Sequence, residues 1–110
     1  MNSFLRYDVI LVKYPFSDLT IFKVRPAIVV NDYYPSNDII IVPLTSNTNK
    51  LLPGEFILTK WKESGLNVQS TVKRGIYTID EKLVILKIGT LTIDDSSILE
   101  ESLRLWLNLF

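Results

Sequence analysis

Apolar residues in the first half of the chain fall into short runs, which are separated by polar or turn-forming residues. Runs rich in β-branched residues and bounded by Pro, Asn or Asp are typical of β-strands. The pattern predicts strands at residues 8–14, 25–30 and 39–44. Pro15 ends the first run, and Pro26 stands near the start of the second, where its missing N–H costs least.

The same β character continues after the polar segment that follows the third strand, with more interruptions. Strands are predicted at 55–61, at 71–79 with a kink at Gly75, and at 82–88. A series of short strands with turn residues between them favours a barrel or sandwich over alternating strand–helix units.

The last part of the chain has a different period. Apolar residues recur there every three or four positions, which is the spacing of one face of an α-helix; they are Ile98, Leu99, Leu103, Trp106 and Phe110. Thr92 is a suitable N-cap, and Asp94 and Asp95 follow in the first turn, where acidic side chains favour the helix dipole. We therefore predict one amphipathic helix of about fifteen residues that packs its apolar face on the sheet.

Composition narrows the class of protein. The chain has 110 residues, enough for one domain with one core, and it is 47% hydrophobic and 22% charged, as globular domains are. No apolar run approaches the ~20 residues that cross a membrane, and the first residues do not resemble a secretory signal. We therefore expect a single domain, residues 1–110, that is located in the cytoplasm.

The chain contains no histidine and no cysteine. Ser-His-Asp and Cys-His catalysis are therefore excluded, and a transition-metal site would lack its usual ligands. A catalytic site must use Arg, Lys, Thr, Ser, Tyr, Asp or Glu. Because the formal net charge is zero, binding of a polyanion such as nucleic acid depends on local groups of charges.

Arg25 is the first candidate for chemistry, because it stands at the start of an apolar strand and directly before Pro26. Proline holds the preceding backbone extended, so the guanidinium is a fixed cation that can bind a phosphate through two hydrogen bonds. Thr45 and Ser46 leave the third strand in a similar way and offer two hydroxyl groups. Taken alone, Arg25 also fits an ordinary strand-edge charge, and the two hydroxyls fit a turn that caps backbone groups.

Further basic and aromatic residues suit a nucleic-acid surface. Adjacent cations on a strand point to opposite faces, so one of a pair can face a groove. Aromatic side chains beside cations can stack on bases, and they equally suit core packing. The cations are Lys23, Lys73 and Arg74, and the aromatic residues, in the connection after the first strand, are Phe16 and Phe22.

Five segments stand in a characteristic order along the chain: residues 8–20, 25–30 (Arg-Pro-Ala-Ile-Val-Val), 42–46 (Val-Pro-Leu-Thr-Ser), 78–80 (Thr-Ile-Asp) and 87–91 (Lys-Ile-Gly-Thr-Leu). Together they resemble the successive blocks of the PemK/MazF family, the growth-inhibiting toxins of bacterial type II toxin–antitoxin pairs. The resemblance covers nearly the whole chain. It implies a mainly β fold, an SH3-like β-barrel of the PemK/MazF/CcdB kind with a C-terminal α-helix.

The resemblance also implies a function. Family members usually form homodimers and cut single-stranded RNA without a metal or other cofactor, leaving a 2′,3′-cyclic phosphate and a 5′-hydroxyl, and a cognate antitoxin protein occupies the RNA groove. The family's catalytic Arg and Thr fall on Arg25 and Thr45, with Ser46 beside them. The expected RNA contacts are Lys23, Lys73, Arg74, Phe16 and Phe22.

The sequence also departs from the family pattern. Tyr7 stands where a Gly usually precedes the Asp of the first block, and Gly75 falls where some members carry an acidic base. The general base is therefore not assigned, and reduced activity stays compatible with the sequence. Two other functions remain open: a gyrase-poisoning toxin of the CcdB kind, acting through Trp106, Leu109 and Phe110, and a non-catalytic SH3-like binding module.

Overall fold

The fold is mainly β with one helix at its C-terminal end, as predicted. A computed structural model describes residues 4–14, 23–32 and 35–109. Within these ranges the strands are β1 Asp8–Tyr14, β2 Lys23–Val29, β3 Asp38–Thr45, β4 Phe56–Ile57, β5 Thr71–Val72, β6 Tyr77–Asp80 and β7 Val84–Thr90. A 3₁₀ turn at Glu81–Leu83 joins β6 to β7, and the helix α1 spans Ile93–Leu107.

One antiparallel sheet takes up all of these strands, in the order β4-β5-β3-β2-β1-β7, with β6 as a further partner of β3. β3 is central because it pairs with β2 on one side and with both β6 and β5 on the other. No ladder joins the two ends of the sheet in the described ranges. The sheet therefore curls like a barrel but stays open, a small departure from the predicted closed form.

Apolar side chains on the two faces of the sheet form two buried groups, because successive residues of a strand point to opposite faces. The group on one face, called the barrel core, consists of Ile10, Val12, Ala27, Val29, Ile39 and Ile41. Ile79 of β6 and Val84 of β7 pack against it. The helix-side core, on the other face, consists of Val9, Ile28, Val42, Leu44, Leu58, Val72, Leu91 and Leu99.

The C-terminal helix begins and ends close to the predicted positions. The Thr92 hydroxyl accepts a hydrogen bond from the Asp95 amide at 3.4 Å, and α1 is 15 residues long. Asn108 ends it with a left-handed φ of 56°, a conformation that asparagine tolerates better than most residues. Leu99 is buried in the helix-side core. None of the helices in the described part of the chain has the length and apolar character needed to cross a membrane.

The predicted strand 55–61 is wrong beyond its first residues, because a buried carboxylate of α1 accepts hydrogen bonds from the backbone amides of its second half. Asp95, fully buried, accepts hydrogen bonds from the Thr59 amide at 3.0 Å, the Thr59 hydroxyl at 2.8 Å and the Lys60 amide at 2.9 Å. These amides cannot join a ladder at the same time. The chain therefore turns at residue 59, and β4 keeps only Phe56–Ile57.

The predicted strand 71–79 is two strands. Glu55 accepts a hydrogen bond from the Arg74 amide at 3.1 Å, which takes that amide out of the sheet between β5 and β6. The last predicted strand begins two residues late, because the Asp80 carboxylate accepts from the Lys82 amide at 2.8 Å and caps the 3₁₀ turn that precedes β7.

β7 carries two irregularities where it pairs with β1. The register passes from Val9–Gly89 to Ile10–Lys87, so Ile88 is an extra residue, and a second shift leaves out Ile85. Such bulges bend a strand and increase its local twist. The first bulge lets Ile88 pack against the helix-side core.

Candidate active site

A pocket of about 270 Å³ lies at the end of the sheet where β2 begins and β3 ends. Most of its walls are apolar and come from β1, β2, β3, β7 and the segment after Gly65; they include Leu11, Pro26, Leu44, Leu66 and Ile88. Arg25, Thr45 and Ser46 also line it. The structure thus brings together the three residues predicted to be catalytic, which are far apart in sequence.

The sheet register explains why Arg25 and Thr45 meet. Ala27 pairs with Pro43 in the β2–β3 ladder, and the same register continued by two residues sets Arg25 across from Thr45. Both side chains alternate with residues of the helix-side face, so they lie on the barrel-core face, beyond its last apolar residues. The pocket walls Pro26 and Leu44 belong to the other face, so Arg25 and Thr45 border the pocket only at its rim, where the two strands end.

The charge at this site comes from unpaired cations. Arg25 is exposed and forms no ion pair with any residue in the described ranges, and the same holds for Lys23, two positions earlier on the same face of β2. An unpaired guanidinium keeps all its donors for a ligand. Among the described residues that line the pocket there is no Asp or Glu.

The two hydroxyl groups differ in their surroundings. Thr45 is half-buried, and its Oγ1 accepts a hydrogen bond from the Asn47 amide at 3.2 Å, which fixes the turn that leaves β3. Ser46 is exposed at the pocket rim. The Asn47 bond therefore fixes the position of Thr45 Oγ1 and leaves its O–H available to donate to a ligand.

Lys73 and Arg74 lie away from the pocket, and their side chains have partners within the protein. The Lys73 ammonium is 3.0 Å from the Glu55 carboxylate. The Arg74 guanidinium donates to the Pro53 carbonyl at 3.3 Å and lies 5.9 Å from the centre of the Trp106 ring. Both residues follow the last residue of β5, so the alternation expected of a strand does not apply to them. Their contact with RNA stays a prediction.

Glu55 was missed by sequence reasoning, because its role depends on residues far along the chain. Its side chain is 1% exposed and also accepts from the Leu52 amide at 2.9 Å. Burial raises the pKa of Glu55, but the hydrogen bonds from the Leu52 and Arg74 amides and from Lys73 lower it more, so the pKa lies below its ordinary value. This carboxylate is ionised and fully engaged at neutral pH, which does not suit a general base.

The segment after Gly65 forms a pocket wall that the sequence did not reveal. Gly65 has a φ of +92°, which side chains rarely adopt, and Leu66, Asn67, Val68 and Ser70 follow it along the pocket. The Ser64-Gly65 turn was the only signal in the sequence. The predicted base contacts Phe16 and Phe22 fall outside the described residues.

Comparison with known families places this geometry in context. The sequence matches the family model described as PemK-like, MazF-like toxin of type II toxin-antitoxin system over residues 5–107. No curated protein sequence matches the chain.

Solved structures share the fold at low sequence identity. An endoribonuclease in complex with its cognate antitoxin, from a mycobacterial species, has a TM-score of 0.79 at 17% identity over 98% of both chains. The Mycobacterium tuberculosis toxin MazF-mt6 has a TM-score of 0.76 at 20% identity, over 94% of this chain and 98% of that one. The MazE-MazF structure from Deinococcus radiodurans has a TM-score of 0.80 at 13% identity over 100% of both chains. With a family match that spans almost the whole sequence, the chain belongs to the PemK-like, MazF-like toxins of type II toxin–antitoxin systems.

Proposed function

We propose that this toxin is an endoribonuclease that cuts single-stranded RNA, including mRNA, by attack of the RNA's own 2′-hydroxyl group. The observation that carries the proposal is that Arg25, exposed and without an ion pair among the described residues, stands across from Thr45 on the barrel-core face, where both strands end beside one pocket. A cation and a hydroxyl donor at a fixed spacing suit a phosphodiester, whose charge increases when it is attacked. The mycobacterial relative that is described as an endoribonuclease supports the same activity.

The reaction balances without an external nucleophile or a metal. The 2′-oxygen forms a bond to phosphorus and loses its proton, the bond from phosphorus to the 5′-oxygen breaks, and that oxygen takes up a proton. The products are a 2′,3′-cyclic phosphate and a 5′-hydroxyl. Arg25 neutralises the non-bridging oxygens of the pentacoordinate intermediate, and Thr45, with Ser46 beside it, donates to one of them and holds the phosphate in line.

The 2′-hydroxyl proton is assigned to no side chain. The described part of the pocket lining contains no carboxylate, and Glu55 is occupied elsewhere. Transition-state stabilisation by Arg25 and Thr45 is therefore the main contribution that these residues supply.

Charge placement favours RNA binding on this side of the molecule although the net charge is zero. Lys23 and Arg25 are exposed and unpaired among the described residues, whereas the acidic residues Asp94, Glu100 and Glu101 lie on α1. Phosphate contacts made by such cations weaken as salt rises. We expect Lys23 to contact the RNA backbone next to the scissile phosphate.

The partners follow from the family. Solved relatives are complexes with an antitoxin, and we propose that this chain also forms a homodimer and is neutralised by a cognate antitoxin that covers the RNA groove. Light scattering on the purified toxin measures its mass in solution. A monomeric mass at micromolar concentration would contradict the dimer.

The test compares purified wild type with Arg25→Ala and Thr45→Val on single-stranded RNA in a buffer that contains EDTA. Loss of one transition-state donor costs about 10²–10³ in rate, so both variants should fall by that order. Lys82→Ala is the matched control, because it also removes one positive charge, from an exposed residue of the 3₁₀ turn. The fragments should carry 5′-hydroxyl ends that a kinase labels without prior phosphatase treatment.

Other outcomes would lead to other functions. Equal cleavage by wild type and Arg25→Ala would remove Arg25 from the mechanism. RNA bound but never cut would indicate a non-catalytic module, and DNA breaks in cells with intact RNA would indicate a gyrase poison. For that last function the structure gives no support at Trp106, whose ring is contacted by Arg74, and Phe110 lies outside the described residues.

A further inference from the structure

Thr71 lies beside the proposed catalytic residues, although sequence reasoning gave it no role. It begins β5 and is the direct partner of Thr45 in the β3–β5 ladder. Directly opposed residues point to the same face of a sheet. Arg25, Thr45 and Thr71 therefore form a row across three adjacent strands, on the barrel-core face.

The hydroxyl of Thr71 is buried and has no partner among the described residues. Thr71 is 1% exposed, and its Oγ1 makes no hydrogen bond within the described part of the chain. Its other ladder partner is the apolar Ile57. A buried hydroxyl without a partner destabilises the folded protein, whereas valine has nearly the same shape and suits a buried strand. The hydroxyl therefore contributes nothing to stability in the free protein.

A free acceptor site lies within reach of this hydroxyl. A hydroxyl oxygen has one proton to donate and two lone pairs. One lone pair of Thr45 Oγ1 accepts from the Asn47 amide, and the second is free to accept from Thr71. Directly opposed residues have Cβ atoms about 4.5–5.5 Å apart, a separation that lets the Thr71 hydroxyl reach Thr45 Oγ1 by rotation of the Thr71 side chain, while the Asn47 bond is kept.

From this arrangement we infer that Thr71 is a positioning residue, which donates to Thr45 Oγ1 when Thr45 donates to the scissile phosphate. The inference rests on the proposed ribonuclease function. Hydrogen bonds in a chain polarise one another, so a Thr45 hydroxyl that accepts from both Asn47 and Thr71 becomes a better donor. The contact also holds the Thr45 rotamer that faces the phosphate.

The test is the isosteric change Thr71→Val, compared with Thr71→Ser, which keeps the hydroxyl, and with Thr90→Val, which makes the same change at an exposed position of β7. Thermal unfolding and the steady-state kinetics of RNA cleavage are measured for each. Thr71→Val should lower kcat about 2- to 10-fold, the size of one neutral hydrogen bond, with KM unchanged. Its melting temperature should equal or exceed that of wild type.

The conservative variant and the control separate positioning from packing. Thr71→Ser should restore kcat to within about twofold of wild type, because it keeps the donor, and Thr90→Val should not change it. A lower melting temperature for Thr71→Val would show that the hydroxyl is bonded in the free protein and would overturn the inference. A Thr71→Ser enzyme as slow as Thr71→Val would do the same.

Failure of the inference differs from failure of the proposed function. If wild type cuts RNA and Thr71→Val cuts it with the same kcat, the inference alone is wrong. If wild type cuts no RNA while remaining folded, both are wrong.

Discussion

A methyl group added at Gly89 should destabilise the protein, because the backbone of β7 lies directly against the backbone of the Ser64-Gly65 turn. A Cβ on Gly89 would lie 2.6 Å from the carbonyl carbon of Ser64, and one on Gly65 would lie 2.8 Å from that of Ile88. Both distances are far inside van der Waals contact. Gly65 also has a φ of +92°. Gly54 offers a comparison, since its φ is +88° but a Cβ there would have its nearest neighbour at 3.7 Å.

Alanine substitutions at the three glycines therefore separate two free-energy costs, that of a left-handed backbone and that of overpacking. Gly54→Ala has only the cost of a left-handed backbone, about 1–2 kcal/mol. Gly89→Ala has only the cost of overpacking, which reaches about 3 kcal/mol when the opposing atoms are backbone and cannot rotate away. Gly65→Ala combines the two costs, for a loss of about 4–5 kcal/mol. Each alanine also lowers the entropy of the unfolded chain, by the equivalent of about 0.4–1 kcal/mol, which offsets all three values alike.

Urea denaturation of the three variants measures these free energies of unfolding, and the expected order of loss is Gly65→Ala, then Gly89→Ala, then Gly54→Ala. In this size range about 1 kcal/mol corresponds to 4–8 °C in melting temperature, so thermal scans resolve the same order. A Gly89→Ala protein as stable as Gly54→Ala would refute the close backbone contact. RNA cleavage per folded molecule should fall for Gly89→Ala and not for Gly54→Ala, because only Gly89 lies against Gly65, which lines the pocket.

Two further predictions concern the buried carboxylates. Asp95→Asn should destabilise the protein by about 2–4 kcal/mol, because an amide oxygen replaces a charged acceptor of bonds from Thr59 and Lys60; an unchanged urea midpoint would contradict this. The folded protein lowers the pKa of Glu55. The ionised carboxylate therefore stabilises the fold above the pKa of the unfolded chain, about 4.3, and this stabilisation is lost as the pH falls through the pKa of the folded protein. Wild type should therefore lose stability below about pH 4.5 more steeply than Glu55→Gln, as measured by urea titrations from pH 3 to 7; parallel profiles would exclude Glu55 as the cause.

The elements that depend on local pattern were predictable. β1 follows a β-branched run that ends at a proline, and α1 follows a helical period with a threonine cap; the structure has both at the predicted positions. The strand ends near residues 59 and 74 were not predictable. They depend on carboxylates that lie 36 and 19 residues away in sequence, Asp95 and Glu55.

The candidate site was predictable in its residue types but not in its assembly. Arg25 before a proline and Thr45 after an apolar run each carried a weak signal. Their proximity follows from the β2–β3 register, which no local pattern contains. Thr71 carried no signal, since a threonine in a strand is ordinary; only the structure shows that its hydroxyl has no partner in the described ranges.

The open sheet has a consequence for how copies of the toxin meet. Its edge strands are poor templates for another strand: β4 has 2 residues and β6 has 4, and β7 is bulged at two points and carries Lys87, whose side chain is 47% exposed. Short, irregular and charged edges resist pairing between molecules. We therefore expect two copies to associate through side chains on their faces and not by extending one sheet into the next, so that an accumulating toxin avoids edge-to-edge polymerisation.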